Sequence, residues 1–369
     1  MKDFIPISEP YIAKNQSKYV NDCLKTNWIS SSGRFIKEFE KKFSEYCNVS
    51  HGVSCSSGTA ALHLAVEAMG IGPGDEVIIP TFTMIASCNA VIYSGAKPVL
   101  VDSELGTWNI DVDKIEEKIT KNTKAIMIVH TYGHPVDMDK LKKVSAKYNL
   151  PIIEDAAEAH GAEYKGKKTG SLGDIACFSY YANKIITSGE GGMIVTNNKK
   201  WADDAMSLRN HCFGEPRFLH KRVGYNYRMT NIQAAIGLAQ LEKIDQFIAA
   251  RRNNAKLYSS ILSKVKGITT PPEAKWAKNV YWMYGILVQD EFKISKSKIV
   301  ETLQKNGIET RNFFIGMHKQ PVYKGKDKRF PDTNGNYPCS DELERKGFYL
   351  PSSSHLTKEQ IKRIADIIK

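Results

Sequence analysis

The stretch CFSYYANKIITSGEGGMIVTN, residues 177–197, carries a lysine where neither a strand nor a glycine turn requires one. Up to Tyr181 the residues are apolar and strand-like, and from Gly192 a second apolar run begins. Between them Lys184 precedes Gly189, Gly191 and Gly192, whose freedom lets the backbone bend and pack closely. An ordinary surface loop would also explain a lysine. Its place just past an apolar strand points elsewhere: an amine beside apolar walls loses its proton more readily and can condense with an aldehyde.

Outward from this stretch, residues up to about 240 alternate β-branched runs with amphipathic helices, the pattern of an α/β domain with a largely parallel sheet. GVSCS, DEVIIP, KPVLVD, KAIMIVH, PIIED, DIACFSYY and GMIVTN read as strands. SGTAALHLAVEAMG, TMIASCNAVIYSG and DMDKLKKVSAKYN read as helices, the second of them buried. The run from Asn231 to Leu262 reads as one long helix leading into a C-terminal α+β domain. The expected division is 1–244 for a large domain with its N-terminal segment and 245–369 for a smaller one. No Gly/Ser linker separates them, so they should pack rigidly.

Two further strand ends bear on Lys184. In SCSSGTAAL, a small-residue turn feeds a helix N-terminus, which offers free N–H groups to a phosphate; a plain Ser/Thr cap has the same appearance. In IIEDAAEAHGA, Asp155 ends an apolar strand, where open α/β sheets place ligands. A helix cap or structural ion pair would also suit it, and Glu158 and His160 either line the same crevice or face solvent. Pyridoxal phosphate uses all three elements together: a lysine for its aldehyde, a carboxylate for its ring nitrogen and an N–H-rich turn for its phosphate.

Competing classes fare worse. AMGIGPGDE follows a helix and precedes a strand, the reverse of a dinucleotide fingerprint. The nine histidines and seven cysteines show no metal-ligand spacing, so no metal is expected. A formal charge of +12 suggests nucleic acid, but the lysines are spread along the chain without interleaved aromatics. No apolar run approaches the roughly 20 residues that span a bilayer. Scattered cysteines and a start without a secretory layout suggest a reduced, cytoplasmic protein.

In order and spacing, WISSSGRFIKEFE, SCSSGTAALHLA, GDEVIIPTFTMIASCNAV, IIEDAAEAHGA, CFSYYANKIITSGEGGMIVTN and GYNYRMTNIQAAIG resemble the nucleotide-sugar aminotransferases of the DegT/DnrJ/EryC1/StrS family. The resemblance implies a fold-type-I, aspartate-aminotransferase-like architecture and a homodimer with shared active sites. It implies Lys184 as the Schiff-base lysine, Asp155 on the pyridine nitrogen and Glu158 near the ring hydroxyl. Ser57, Gly58, Thr59 and Ser179 would hold the phosphate, with Asn226 reaching the phosphate of the partner subunit's cofactor. Met84 stands where the family often has a stacking aromatic ring. Trp28, Ser30, Arg228, Arg311 and His318 would contact substrate.

The resemblance is greatest to members that move glutamate's amino group onto carbon 4 of GDP-4-keto-6-deoxymannose for surface polysaccharide or glycoconjugate synthesis. A dTDP- or UDP-linked 3- or 4-keto sugar stays open. A dehydratase branch replaces the lysine with histidine, and this chain keeps lysine. A non-catalytic, regulatory cofactor-binding relative is the remaining alternative, against which the intact lysine and aspartate argue.

Overall fold

Residues 4–369 are described in the computed structural model. The large sheet is built from β1 (His51–Cys55), β2 (Glu76–Pro80), β3 (Lys97–Val101), β4 (Thr123–Val129) and β5 (Ile152–Asp155). After the short pair β6 (Glu163–Tyr164) and β7 (Lys167–Lys168) come its last strands, β8 (Ile175–Ser179) and β9 (Gly192–Thr196). Their order is β1-β9-β8-β5-β4-β2-β3, parallel except where β9 pairs with its two neighbours. The buried strands are nearly continuous apolar runs because both faces are covered.

The covering helices include α1 (Lys14–Lys25), α2 (Arg34–Cys47), α3 (Gly58–Ala68), α4 (Ile85–Tyr93), α5 (Met138–Tyr148), α6 (Lys199–Leu208) and α7 (Asn231–Leu241). On α2, Phe35, Phe39 and Phe43 recur every four residues and form one buried stripe. Phe43 packs edge-on to Phe178 at 4.8 Å, and Phe39 lies 4.9 Å from Tyr180. The strand that leads to Lys184 is thus anchored from below by aromatic contacts.

The smaller unit follows α8 (Ile244–Leu262). It holds β10 (Ile268–Thr269), β11 (Ala277–Lys278), β12 (Tyr284–Val288), α9 (Lys296–Lys305), β13 (Arg311–Asn312), α10 (Pro338–Lys346), β14 (Gly347–Leu350) and α11 (Lys358–Ile368). Four of its strands form an antiparallel sheet in the order β10-β12-β14-β13. Among the described residues no helix is long and apolar enough to cross a membrane.

One expectation needs correction. The run from Asn231 to Leu262 is two helices, because the chain leaves helical geometry at Lys243 (φ −118°, ψ 4°). No glycine or proline marks this break. Glu242 is held there by Tyr19 (2.6 Å) and Asn15 (2.8 Å), a tertiary contact that overrides helical propensity. The first residues of the N-terminal segment reach across to the small unit, while α1 packs on α7 of the large one. Ile5 bridges to Ile308 and is buried in the small unit's core, and β11 crosses the other way to pair with β6.

Behind the sheet's active edge sits a buried carboxylate. Glu154 accepts the N–H groups of Gly170 (2.9 Å), Leu172 (2.8 Å) and Gly173 (2.6 Å) and meets His130 Nε2 at 2.9 Å. Burial pushes its pKa up, but His130 and these amides outweigh that and hold it below the ordinary value. Glu154→Ala leaves buried donors unpaired and should cost about 3–5 kcal/mol in urea unfolding at neutral pH. A loss under about 1 kcal/mol would contradict this. Because the folded value is depressed, Glu154's contribution is present above the unfolded glutamate pKa and fades as pH falls through the folded one.

Candidate active site

A cavity of about 370 Å³ opens where the C-terminal ends of β5 and β8 meet the start of α3. Ser57, Gly58, Thr59, Met84, Asp155, Glu158, Ser179, Lys184 and Arg311 all line it. Segments far apart in the chain therefore supply the expected amine, carboxylates and helix N-terminus to one space.

Local sequence explains each placement. Ser57 is extended and caps α3 by accepting the Ala60 N–H at 3.1 Å, leaving the first amides of the helix facing the cavity. Gly58 sits so close to the end of β8 that an added Cβ would come 2.6 Å from Ser179 Cβ. Only glycine permits that approach. Past β8, Ser188 N–H and Thr187 Oγ1 both donate to the Tyr180 carbonyl (3.0 and 2.9 Å), and Gly189 takes φ 84°. This knot holds the loop that presents Lys184.

The Lys184 amine lies 3.7 Å over the face of Trp282. Burial pushes its pKa down, against the pull of Glu158 and Asp155. Asp155 is buried and accepts hydrogen bonds from Ser87 Oγ (2.7 Å) and the Ala157 N–H (3.2 Å). Burial raises its pKa, opposed by these donors and by Lys184. Glu158 is also buried and accepts the Tyr132 N–H at 2.8 Å. Its carboxyl is pushed up to about 7 by burial, with Lys184 acting in the opposite sense. His160 is buried with both ring nitrogens unpartnered among the described residues, and burial followed by Lys184's charge drives it down to about 3.

Other candidates lie outside this cavity. His318 is held between Thr81 Oγ1 (2.8 Å) and Asp341 (3.0 Å) and rests 4.5 Å from Tyr337, so both its nitrogens have protein partners. Trp28, Ser30 and Asn226 are exposed, and Arg228 donates to Asn210 at 2.8 Å. Trp28 borders a larger cavity of about 780 Å³ with Arg34, Met206 and Arg209. That space has no recessed amine facing buried carboxylates, so the chemistry is assigned to the smaller one.

Three contributors were missed from sequence. Ser87 lies in the first turn of α4, and serine is a common residue with no local mark of function. Trp282 arrives from beyond α8. Tyr132 adopts φ 52°, unusual for a bulky residue, and is held by Phe314 (5.1 Å) and Phe313 (4.8 Å) besides its bond to Glu158.

A mostly parallel sheet that gathers a lysine, two buried carboxylates and an open helix N-terminus at its strand ends defines a fold-type-I transferase of the pyridoxal-phosphate kind. The family model of the DegT/DnrJ/EryC1/StrS aminotransferases matches residues 10–369, and the chain belongs to that family. It is 46% identical to the GDP-perosamine synthase of Caulobacter vibrioides over 98% of this chain and 96% of that one. Identity to the GDP-perosamine synthase of Escherichia coli O157:H7 is 44%, over 99% and 98%. Among solved structures, Spr1654 of Streptococcus pneumoniae in its PLP form superposes with a TM-score of 0.91 at 29% identity, covering 99% and 98% of the two chains.

The paired charges yield a checkable titration. In cofactor-free protein carrying ¹³C-labelled glutamate, one carboxyl resonance should titrate near pH 7 and vanish in Glu158→Gln. Because Lys184 lowers this value, Lys184→Met should move the midpoint upward. An unchanged or lower midpoint would disprove the coupling.

Proposed function

We propose that this aminotransferase moves the amino group of L-glutamate onto carbon 4 of GDP-4-keto-6-deoxymannose, giving GDP-perosamine for surface polysaccharide assembly in the cytoplasm. The observation that carries this reading is the convergence of Lys184, Asp155 and the opening of α3 on one cavity. The choice of sugar is supported by the near full-length identity to two perosamine synthases.

The residues fit pyridoxal phosphate. When bound, it supplies an aldehyde that takes up an amino group and a protonated ring that draws electrons from the carbon being deprotonated. Lys184 is suited to hold that aldehyde because burial favours its neutral amine. Once the amino donor displaces it, Lys184 Nζ takes the proton from the donor's α-carbon, and in the second half-reaction it delivers one to sugar carbon 4. Asp155, braced by Ser87 and the Ala157 amide, would hold the ring nitrogen protonated; a carboxylate this buried needs a cationic partner. The Gly58 and Thr59 amides, with the Thr59 and Ser179 hydroxyls, would take the phosphate. Met84 and Glu158 also line the cavity; with the group bound, Met84 would offer its thioether to the ring face and Glu158 would serve the ring hydroxyl.

Arg311, on β13, is assigned to the sugar nucleotide. Trp28, Ser30, Asn226 and Arg228 are assigned to the site of a second copy in a homodimer, which accounts for their distance from this chain's own cavity.

Glutamate incubated with GDP-, dTDP- and UDP-linked keto sugars should give an amino sugar, by mass spectrometry, mainly from the GDP-linked 4-keto-6-deoxymannose. A preference for a dTDP- or UDP-linked sugar would reassign the substrate while leaving the transaminase class intact. Asp155→Asn should lower kcat by about a hundredfold or more, because a neutral ring is a poorer electron sink. Turnover at the parent rate would remove Asp155 from its role.

A further inference from the structure

Arg251, on α8, is buried, and among the described residues no carboxylate pairs with it. Its Nη1 donates to the backbone carbonyls of Trp282 (2.8 Å) and Ser352 (2.6 Å), and its Nη2 reaches Ser8 Oγ at 3.5 Å. Taking a guanidinium out of water for neutral carbonyls is costly unless those bonds are charge-assisted and well placed. What they place is Trp282. Its indole N–H donates to the carbonyl of Asn183 at 2.9 Å, which also accepts from Ser8 Oγ at 3.3 Å. Its ring stacks near Tyr132, 6.2 Å away at 27°, and its open face lies under Lys184 Nζ. One side chain therefore grips the lysine at both ends, through the preceding peptide and through the amine.

We infer that Trp282 is a positioning residue that parks the Lys184 amine whenever it is released from the aldehyde, and that Arg251 and Ser8 fix this platform. An ammonium over an indole face is attracted by the ring quadrupole, most strongly where water is excluded. The charges of Asp155 and Glu158 act on the same amine, while His160, Tyr181, Glu190, Arg311 and Tyr349 are the other ionisable groups around it. Those carboxylates alone would draw the freed amine toward Glu158 and Asp155, the second being the partner required by the ring nitrogen. The ring holds it back along the wall of the cavity.

The inference rests on Lys184 as the reacting amine, so its first readout is taken without cofactor and does not depend on that reading. In cofactor-free protein, carbamylation of Lys184 by cyanate is followed against pH by peptide mass spectrometry. Trp282→Leu should lower the midpoint by about half to one unit, since the ring no longer favours the ammonium; Trp282→Phe, which keeps a ring, should lower it less. In the loaded enzyme, Trp282→Phe should lower kcat about tenfold with an unchanged KM for glutamate, because the Asn183 anchor is lost. Arg251→Lys should do likewise, since an ammonium lacks the fork that spans both carbonyls.

Parent-like midpoints in both Trp282 variants, or a raised KM with kcat intact, would overturn the inference. If Trp282→Leu loses its cooperative thermal transition, the Phe variant decides alone: a parent midpoint together with parent kcat rejects the platform. Shifted midpoints in a protein whose turnover survives Lys184→Ala would instead reject the reading of the active site.

Discussion

Everything in the site depends on keeping an amine next to two carboxylates in a space that disfavours all three charges. Lys184 is pushed toward its neutral form, and Asp155 and Glu158 toward theirs, by the same burial. Their mutual attraction works against that burial. In each group burial is the larger effect, and the opposite charges reduce it. Such a balance suits a reaction in which an amine must be nucleophile, base and acid in turn.

The fold supplies the walls that make this possible. Parallel strands end together, so β5 and β8 deliver Asp155 and the Lys184 loop to one edge of the sheet. The stripe of Phe35, Phe39 and Phe43 on α2 holds the β8 end from one side. The small unit closes the other with Trp282, Arg311 and Tyr349. Interlacing of the two units through Ile5 and β11 explains why no flexible tether is needed between them.

The large sheet and the chemistry at its strand ends were legible in the sequence because each signal is local. A strand followed at once by a lysine, an aspartate or a small-residue turn can be read without knowing its neighbours. Ser87, Tyr132 and Trp282 could not be read so, since each matters only for what tertiary folding places beside it. The partners of His318 were hidden for the same reason: Thr81 and Asp341 come from elements distant in the chain. The break near Lys243 has no sequence breaker and coincides with the contacts of Glu242 with the α1 helix.

The most direct test of the central claim is to load the purified protein with pyridoxal phosphate, reduce it with borohydride and map the modified peptide by mass spectrometry. The account predicts a single stoichiometric adduct on Lys184. An adduct on another lysine, or none with the protein folded, would contradict it.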